Sequence, residues 1–282
     1  MKKLKGLFNL IRFELPLAAG ICVVLGQLFA LGYFAPLYLT LTAALSVFFI
    51  SASILVSNDY FDIETDKINA PHRPISSGLV SPVQAFALAV FLLLAGLILS
   101  LTISITALLF SIGLTIIGLI YNGKFKKHGL LGNLMVSFSV GMTFIFGGLS
   151  VGLPFNKIVV FFAIIAALVD LGEEVASDAM DIKGDKLIDS NSIAIKHGKE
   201  KALRLSALIF VIVILLSLIP FFLQWFKIIY LLPIVIMDIF IAFSTFKLIK
   251  SKNEEGRKYI RLLYLGATFG LVIFLIMRLM GL

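Results

Sequence analysis

Long apolar runs, separated by short polar segments, constrain this chain more than any other feature. They fall at 15–34, 37–57, 83–104, 106–121, 130–150, 157–175, 203–223, 228–249 and 260–280. A helix of about 20 residues, rising 1.5 Å per residue, crosses a hydrocarbon core of about 30 Å. Backbone groups in lipid must bond to each other, so runs of this kind become helices. The pattern predicts an all-α membrane protein with nine transmembrane helices around a central cavity. Its weakest boundary is in 83–121, where only Ser100 to Thr106 interrupts the apolar run. Composition agrees: 60% of residues are hydrophobic and 14% charged, against about 45–50% and about 25% in soluble domains. Met1 to Gly6 is basic, but the apolar run behind it is too long for a signal peptide and lacks a small-residue cleavage site. It is expected to be retained as the first helix. The lone cysteine, Cys22, excludes a disulfide within one chain.

A net charge of +8 could suggest a nucleic-acid partner. Its distribution argues for a membrane instead. With nine helices, 21 of the 24 Lys and Arg residues fall on one side, leaving Lys157, Lys227 and Arg278 on the other. Positive charge marks the cytoplasmic side. The N-terminus and the long loops at 58–82 and 176–202, after helices two and six, are therefore expected there, the loops forming a cytoplasmic cap. We read 1–282 as one domain made of two half-repeats, about 1–128 and 129–249, with a ninth helix at about 260–280. The expected location is the cell membrane, crossed many times.

Each long loop opens with the same acidic spacing. Asp59-x-x-Asp62-Ile63-x-x-Asp66-Lys67 recurs as Asp178-x-x-Asp181-Ile182-x-x-Asp185-Lys186. Residues three and four apart share one face of a helix, as do Asn58 and Asp62. Asp170, Glu173 and Glu174 lie one or two turns deeper in helix six, and the two clusters hold 11 of the 16 acids. Carboxylates massed beside hydrocarbon repel one another and are costly to desolvate. The plain alternative is a solvated helix end. Two sets with identical spacing favour a shared ligand, and Mg²⁺ suits them: it takes oxygen ligands, often a few carboxylates plus substrate phosphate.

Cations follow both motifs. Arg73 and Lys124 sit near helix ends that should border the acidic site, and Lys183 and Lys186 are interleaved with the second motif. The lysines around 196–201 and 247–258 read as topological or lipid-facing charge. Asp238, mid-span in helix eight, should face the protein interior. Gln27 reads as an interhelical hydrogen bond, and Gly141, Gly147, Gly148 and Gly152 as close-packing positions.

These residues resemble the UbiA-type intramembrane prenyltransferases. That family carries an Asn-Asp-x-x-Asp motif after helix two and a second aspartate-rich motif after helix six. Here they would be Asn58 to Asp66 and Asp178 to Asp185. Arg12, Tyr121 with Lys124, and Gly132-Asn133 also match. The resemblance spans essentially the whole chain and implies Mg²⁺ held by Asn58, Asp62, Asp66, Asp178, Asp181 and Asp185. It implies catalytic roles for Asp59, Asp62, Asp178, Asp181 and Tyr121, and diphosphate contacts from Arg73, Lys124, Lys67 and Lys186. The run Asp66 to Ile75 with Gly78, and Lys126 to Asn133, resembles a branch of the family that builds archaeal ether lipids. The partners implied are an isoprenyl diphosphate donor, geranylgeranyl diphosphate, and a lipid phosphate acceptor, geranylgeranylglyceryl phosphate, both in membrane lipid. Asn191 to Ile195 departs from the family pattern, as does Glu14 after Arg12-Phe13. An aromatic acceptor such as 4-hydroxybenzoate or a quinone precursor is the nearest alternative. A secondary transporter is the alternative from another class, although transporter sites lie near the midplane and these acids lie at helix ends.

Overall fold

The computed structural model describes residues 2–251 and 255–282. All regular structure among the described residues is helical. The first two helices are α1 (Lys2–Ile11) and α2 (Glu14–Leu31), and they part at Arg12, whose φ of 48° is left-handed. That conformation costs a non-glycine residue roughly 1–3 kcal/mol. Then come α3 (Leu37–Phe61), a short α4 (Ile63–Asn69), α5 (Pro82–Ile103) and α6 (Ile105–Ile120). The ambiguous break falls at Ser104. Its extended backbone ends α5, and its hydroxyl caps α6 by accepting the Ala107 N–H at 3.0 Å. Ser81 and Gln84 form a capping box at the head of α5, with Pro82 in the first turn.

A π-helical turn, Tyr121–Phe125, and a 3-10 turn, Lys126–His128, lead into α7 (Leu130–Ser150). The rest is α8 (Lys157–Asp185), α9 (Ile193–His197), α10 (Lys199–Ser217), α11 (Ile219–Phe222), α12 (Leu231–Ile249) and α13 (Gly256–Leu279). Successive long helices pack on one another, and α13 returns to touch both α2 and α8, so the bundle closes on itself.

Among the described residues, eight helices are long and apolar enough to cross a membrane. The stretch 157–175 lies in α8, which has 29 residues but carries Asp170, Glu173 and Glu174. It is therefore set apart by charge, not by length. Leu94, Ile98, Leu109 and Leu215 are all more than half exposed. Large apolar side chains turned outward on long helices suit lipid rather than water. Residues 2–11 form a helix of their own. Leu10 of α1 is fully buried with Val56, Ile75 and Val80, tying α1 to α3 and the loop before α5.

Small and polar residues join the spans. Gln27 Nε2 donates to Ser150 Oγ at 2.8 Å, the interhelical bond its position suggested. Ser46, Ser100 and Ser111 link α3, α5 and α6 through hydroxyl contacts of 2.6 and 2.7 Å. At the α2–α7 crossing Gly26 and Gly147 meet backbone to backbone: a Cβ on Gly147 would lie well inside contact with the Val23 carbonyl oxygen. Gly141 does the same against α8. Gly152 does not: its φ is 80° and nothing approaches it, so it makes a turn. Gly147→Val is expected to destabilise the bundle by about 1–3 kcal/mol through overpacking, read as a lower midpoint of thermal unfolding in detergent.

Candidate active site

The bundle encloses a cavity of about 530 Å³. Its depth is apolar, with Val47, Ile50, Phe144 and Phe162 among the lining residues, and its other end is polar. There Asn58, Asp66, Arg73 and Lys126 stand on one side and Asp178, Asp181 and Asp185 on the other. The two motifs converge because α3 breaks at Asp62 and α4 turns against the end of α8. Asn69 stitches them together. Its Oδ1 accepts the Gly184 N–H at 2.9 Å and its Nδ2 donates to the Asp181 carbonyl at 3.2 Å.

The chain's own cations already meet most of these carboxylates. Arg73 Nη1 donates to both Asp66 oxygens, at 2.7 and 2.6 Å, and lies 3.3 Å from Asp59 Oδ1. Arg12 pairs with Asp59, Lys126 with Asp62, and Arg257 with Asp181. Arg12, at the left-handed break between α1 and α2, thus reaches buried Asp59. Asn133 Nδ2 donates to Asp178 Oδ2 at 3.0 Å. Asn58 spends its amide nitrogen on Asn122 Oδ1, at 3.0 Å.

Burial raises the Asp66 pKa, with Arg73 pulling it back only in part. Burial acts to lower that of Arg73, but Asp59 and Asp66 outweigh it and raise it. Asp178 and Asp185 stand beyond the expected span. Burial, followed by the charge of neighbouring acids, pushes both to about 7, against the Asn133 hydrogen bond at Asp178. The mutual repulsion among these acids is what a bound cation would relieve. They fit a divalent cation in charge and donor type. Among the described residues no three acids stand close enough to hold an ion by themselves. Mg²⁺ does not need such a cage, since substrate phosphate can supply the remaining ligands.

Several expected positions fall elsewhere. Asp59 is 2% exposed between Arg12 and Arg73 and does not line the cavity. Asp62 is also buried behind the lining, against Lys126. Lys67, Lys124 and Lys186 are exposed and off the cavity. Lys67 bonds Glu64 at 2.7 Å, one turn back on the outer face. Lys124 is displaced by the π-turn. The Lys126 N–H bonds the Tyr121 carbonyl five residues back, so the wider turn delivers Lys126 inward with Tyr121. An ordinary helical count from Tyr121 gives Lys124 or Phe125. Arg257, counted only among the positive charges of one side, is a cavity residue, as are Asn69 and Asn122. Nothing in their local spacing signals this. The atypical loop at 191–195 has its own fit: the Asn191 N–H donates to the Lys127 carbonyl at 2.8 Å, and Ser192 caps α9. Asp238 is buried and accepts from Ser217 Oγ at 2.8 Å, away from the motifs.

A helical membrane protein with an apolar cavity, closed at one end by paired carboxylates and guanidinium groups, is shaped for an amphiphile with a polyanionic head. A model of the UbiA prenyltransferase family matches residues 19–277. The chain is 34% identical over 256 residues to the digeranylgeranylglyceryl phosphate synthase of Methanocaldococcus jannaschii, covering 90% of this chain and 89% of that one. It shares 33% identity and a TM-score of 0.70 with a solved structure described as giving insights into the biosynthesis of digeranylgeranylglyceryl phosphate synthase in membranes, over 98% of both chains. A UbiA homologue from Archaeoglobus fulgidus, bound to GPP and Mg²⁺, has the same fold, with a TM-score of 0.68 at 18% identity over 95% of this chain and 99% of that one. The chain belongs to the UbiA prenyltransferase family.

Proposed function

We propose that this protein is a Mg²⁺-dependent intramembrane prenyltransferase that moves a geranylgeranyl group from geranylgeranyl diphosphate to the glycerol hydroxyl of geranylgeranylglyceryl phosphate. One observation carries the reading: carboxylates of both acidic motifs meet at the polar end of a cavity whose depth is apolar. The identity to a digeranylgeranylglyceryl phosphate synthase along most of the chain supports the choice of acceptor.

Asn58 and Asp66 on one side, and Asp178, Asp181 and Asp185 on the other, line the cavity and would hold Mg²⁺; Asp62, behind them, holds Lys126 in place. Bound Mg²⁺ neutralises diphosphate oxygens and makes diphosphate a better leaving group. Arg73 and Lys126 bind oxygens on which charge grows as the allylic C–O bond breaks. Asp59 positions Arg12 and Arg73. Tyr121, at the border of polar and apolar walls, orients the leaving group. The apolar walls keep water from the delocalised cation. The acceptor oxygen forms the new C–O bond and gives its proton to a cavity carboxylate; Asp170, Glu173 and Glu174 line the cavity below the second motif. Each buried methylene of a prenyl tail contributes about 0.8 kcal/mol, so both tails stay in the bilayer throughout.

The spanning arrangement follows from the same reading. We take residues 157–175 of α8 as a ninth span, its three acids turned to the cavity rather than to lipid. The motif end then lies on the cytoplasmic side of the cell membrane, capped by the loops after the second and sixth spans, and the chain forms one domain of two half-repeats. Incubating purified protein with Mg²⁺, geranylgeranyl diphosphate and geranylgeranylglyceryl phosphate should yield the doubly prenylated ether lipid by mass spectrometry. Product from 4-hydroxybenzoate instead would reassign the acceptor.

A further inference from the structure

The proposed reaction joins two lipids that each carry an anionic head. Arg12, Arg73 and Lys126 all stand against the first acidic motif. A second phosphate packed into that group would meet the charge of the first. The opposite wall has cations of its own. Arg257 and Arg261, one turn apart on α13, border a side pocket of about 170 Å³ with Ser177, Met180, Ile260 and Tyr264. Arg257, Ser177 and Tyr264 line the main cavity as well, so the two spaces adjoin.

The present partners of these cations are exchangeable. Arg261 donates to Glu14 Oε1 at 3.0 Å, and the Tyr264 hydroxyl donates to the same oxygen at 3.3 Å. The Arg261 and Glu14 side chains are 64% and 37% exposed. An ion pair so open to water holds weakly. Arg257 has a buried Nε with no hydrogen-bond partner, and a buried donor left unmet is costly. The Arg257 Nη2 donates to Asp181 and, at 3.4 Å, to the Met180 carbonyl; a phosphate competes with these partners, since the guanidinium fork matches phosphate geometry. The hydroxyls of Ser177 and Tyr264 add donors, and Met180 and Ile260 give an apolar rim for the carbons beside the head.

We propose that this side pocket is a subsite for a phosphomonoester, the head of the acceptor lipid, held by Arg257, Arg261 and Tyr264. It rests on the acceptor reading above. The subsite selects a phosphorylated acceptor over the free alcohol and places its hydroxyl beside the departing diphosphate.

The test compares kcat/KM for geranylgeranylglyceryl phosphate and for unphosphorylated geranylgeranylglycerol, in wild type, Arg261→Gln and Arg261→Lys. Arg261 is exposed, so neither substitution threatens the fold. Arg261→Gln should raise KM for the phosphorylated acceptor about tenfold or more, leave KM for the diphosphate donor unchanged, and shrink the preference for phosphate. Arg261→Lys should restore part of it. Inorganic phosphate should compete with the acceptor in wild type and far less in Arg261→Gln. Competition with the donor instead would mean that free phosphate is read at the diphosphate site, and would overturn the subsite. An unchanged preference in Arg261→Gln would overturn the subsite alone. If wild type prenylates neither glycerol acceptor, the acceptor reading falls and takes the subsite with it.

Discussion

Asp181→Ala and Asp62→Ala are each expected to lower Mg²⁺-dependent transfer by about 10²–10³-fold, in line with the loss of one charge-stabilising group. Asp181 sits at the meeting of the motifs, on the cavity wall and paired with Arg257. Its side chain is 29% exposed, so truncation removes a ligand without opening a hole in the bundle. Asp62 is buried, and its loss leaves Lys126 unpaired; that side chain is 30% exposed and can turn to water. Both variants should elute from size exclusion as wild type does. Transfer near the wild-type rate by either purified variant would refute the role given to that carboxylate. Titrating Mg²⁺ separates two causes: weakened metal binding moves the midpoint, whereas lost transition-state contact lowers the plateau.

Lys126→Ala is expected to cost about a hundredfold in transfer, while Lys124→Ala stays within about threefold. Only Lys126 lines the cavity and reaches Asp62. Lys124 is exposed, with its ammonium 5.9 Å from the Phe125 ring centre. The motif resemblance favours the opposite ranking, which makes the pair informative. Equal losses in both variants, or a larger loss at Lys124, would mean that the turn after α6 winds differently when substrate is bound. Lys126→Arg should keep part of the activity, because the charge stays while its shape changes.

The two acidic motifs were legible because their chemistry is local. Asp59, Asp62 and Asp66 share a face by spacing alone, and the second set repeats it. What that spacing omits is which acids reach the cavity. The break at Asp62 between α3 and α4 turns Asp66 toward the lining and leaves Asp59 and Asp62 behind it. The break between α5 and α6 was legible only as a polar patch, and a single extended serine makes it.

Cations were the least legible part of the site. Arg12 meets a carboxylate 47 positions on, and Arg257 one 76 positions back. Local sequence around Arg257 resembles any positively charged membrane border. Lys126 and Lys124 differ only by the phase of one π-turn, and nothing in Tyr-Asn-Gly-Lys-Phe-Lys fixes that phase until the flanking helices are docked.

By itself the sequence determined that the chain is helical and suited to a membrane, and that two matching acidic faces stand at helix ends. Run length, backbone hydrogen bonding in lipid and helical spacing are properties of neighbours along the chain. Tertiary structure alone decided that the two faces meet and which guanidinium or ammonium group answers each carboxylate. It also decided that α13 carries a second pair of arginines into a pocket. Those outcomes depend on how helices distant in sequence pack and on the rotation of each about its axis, which no local pattern encodes.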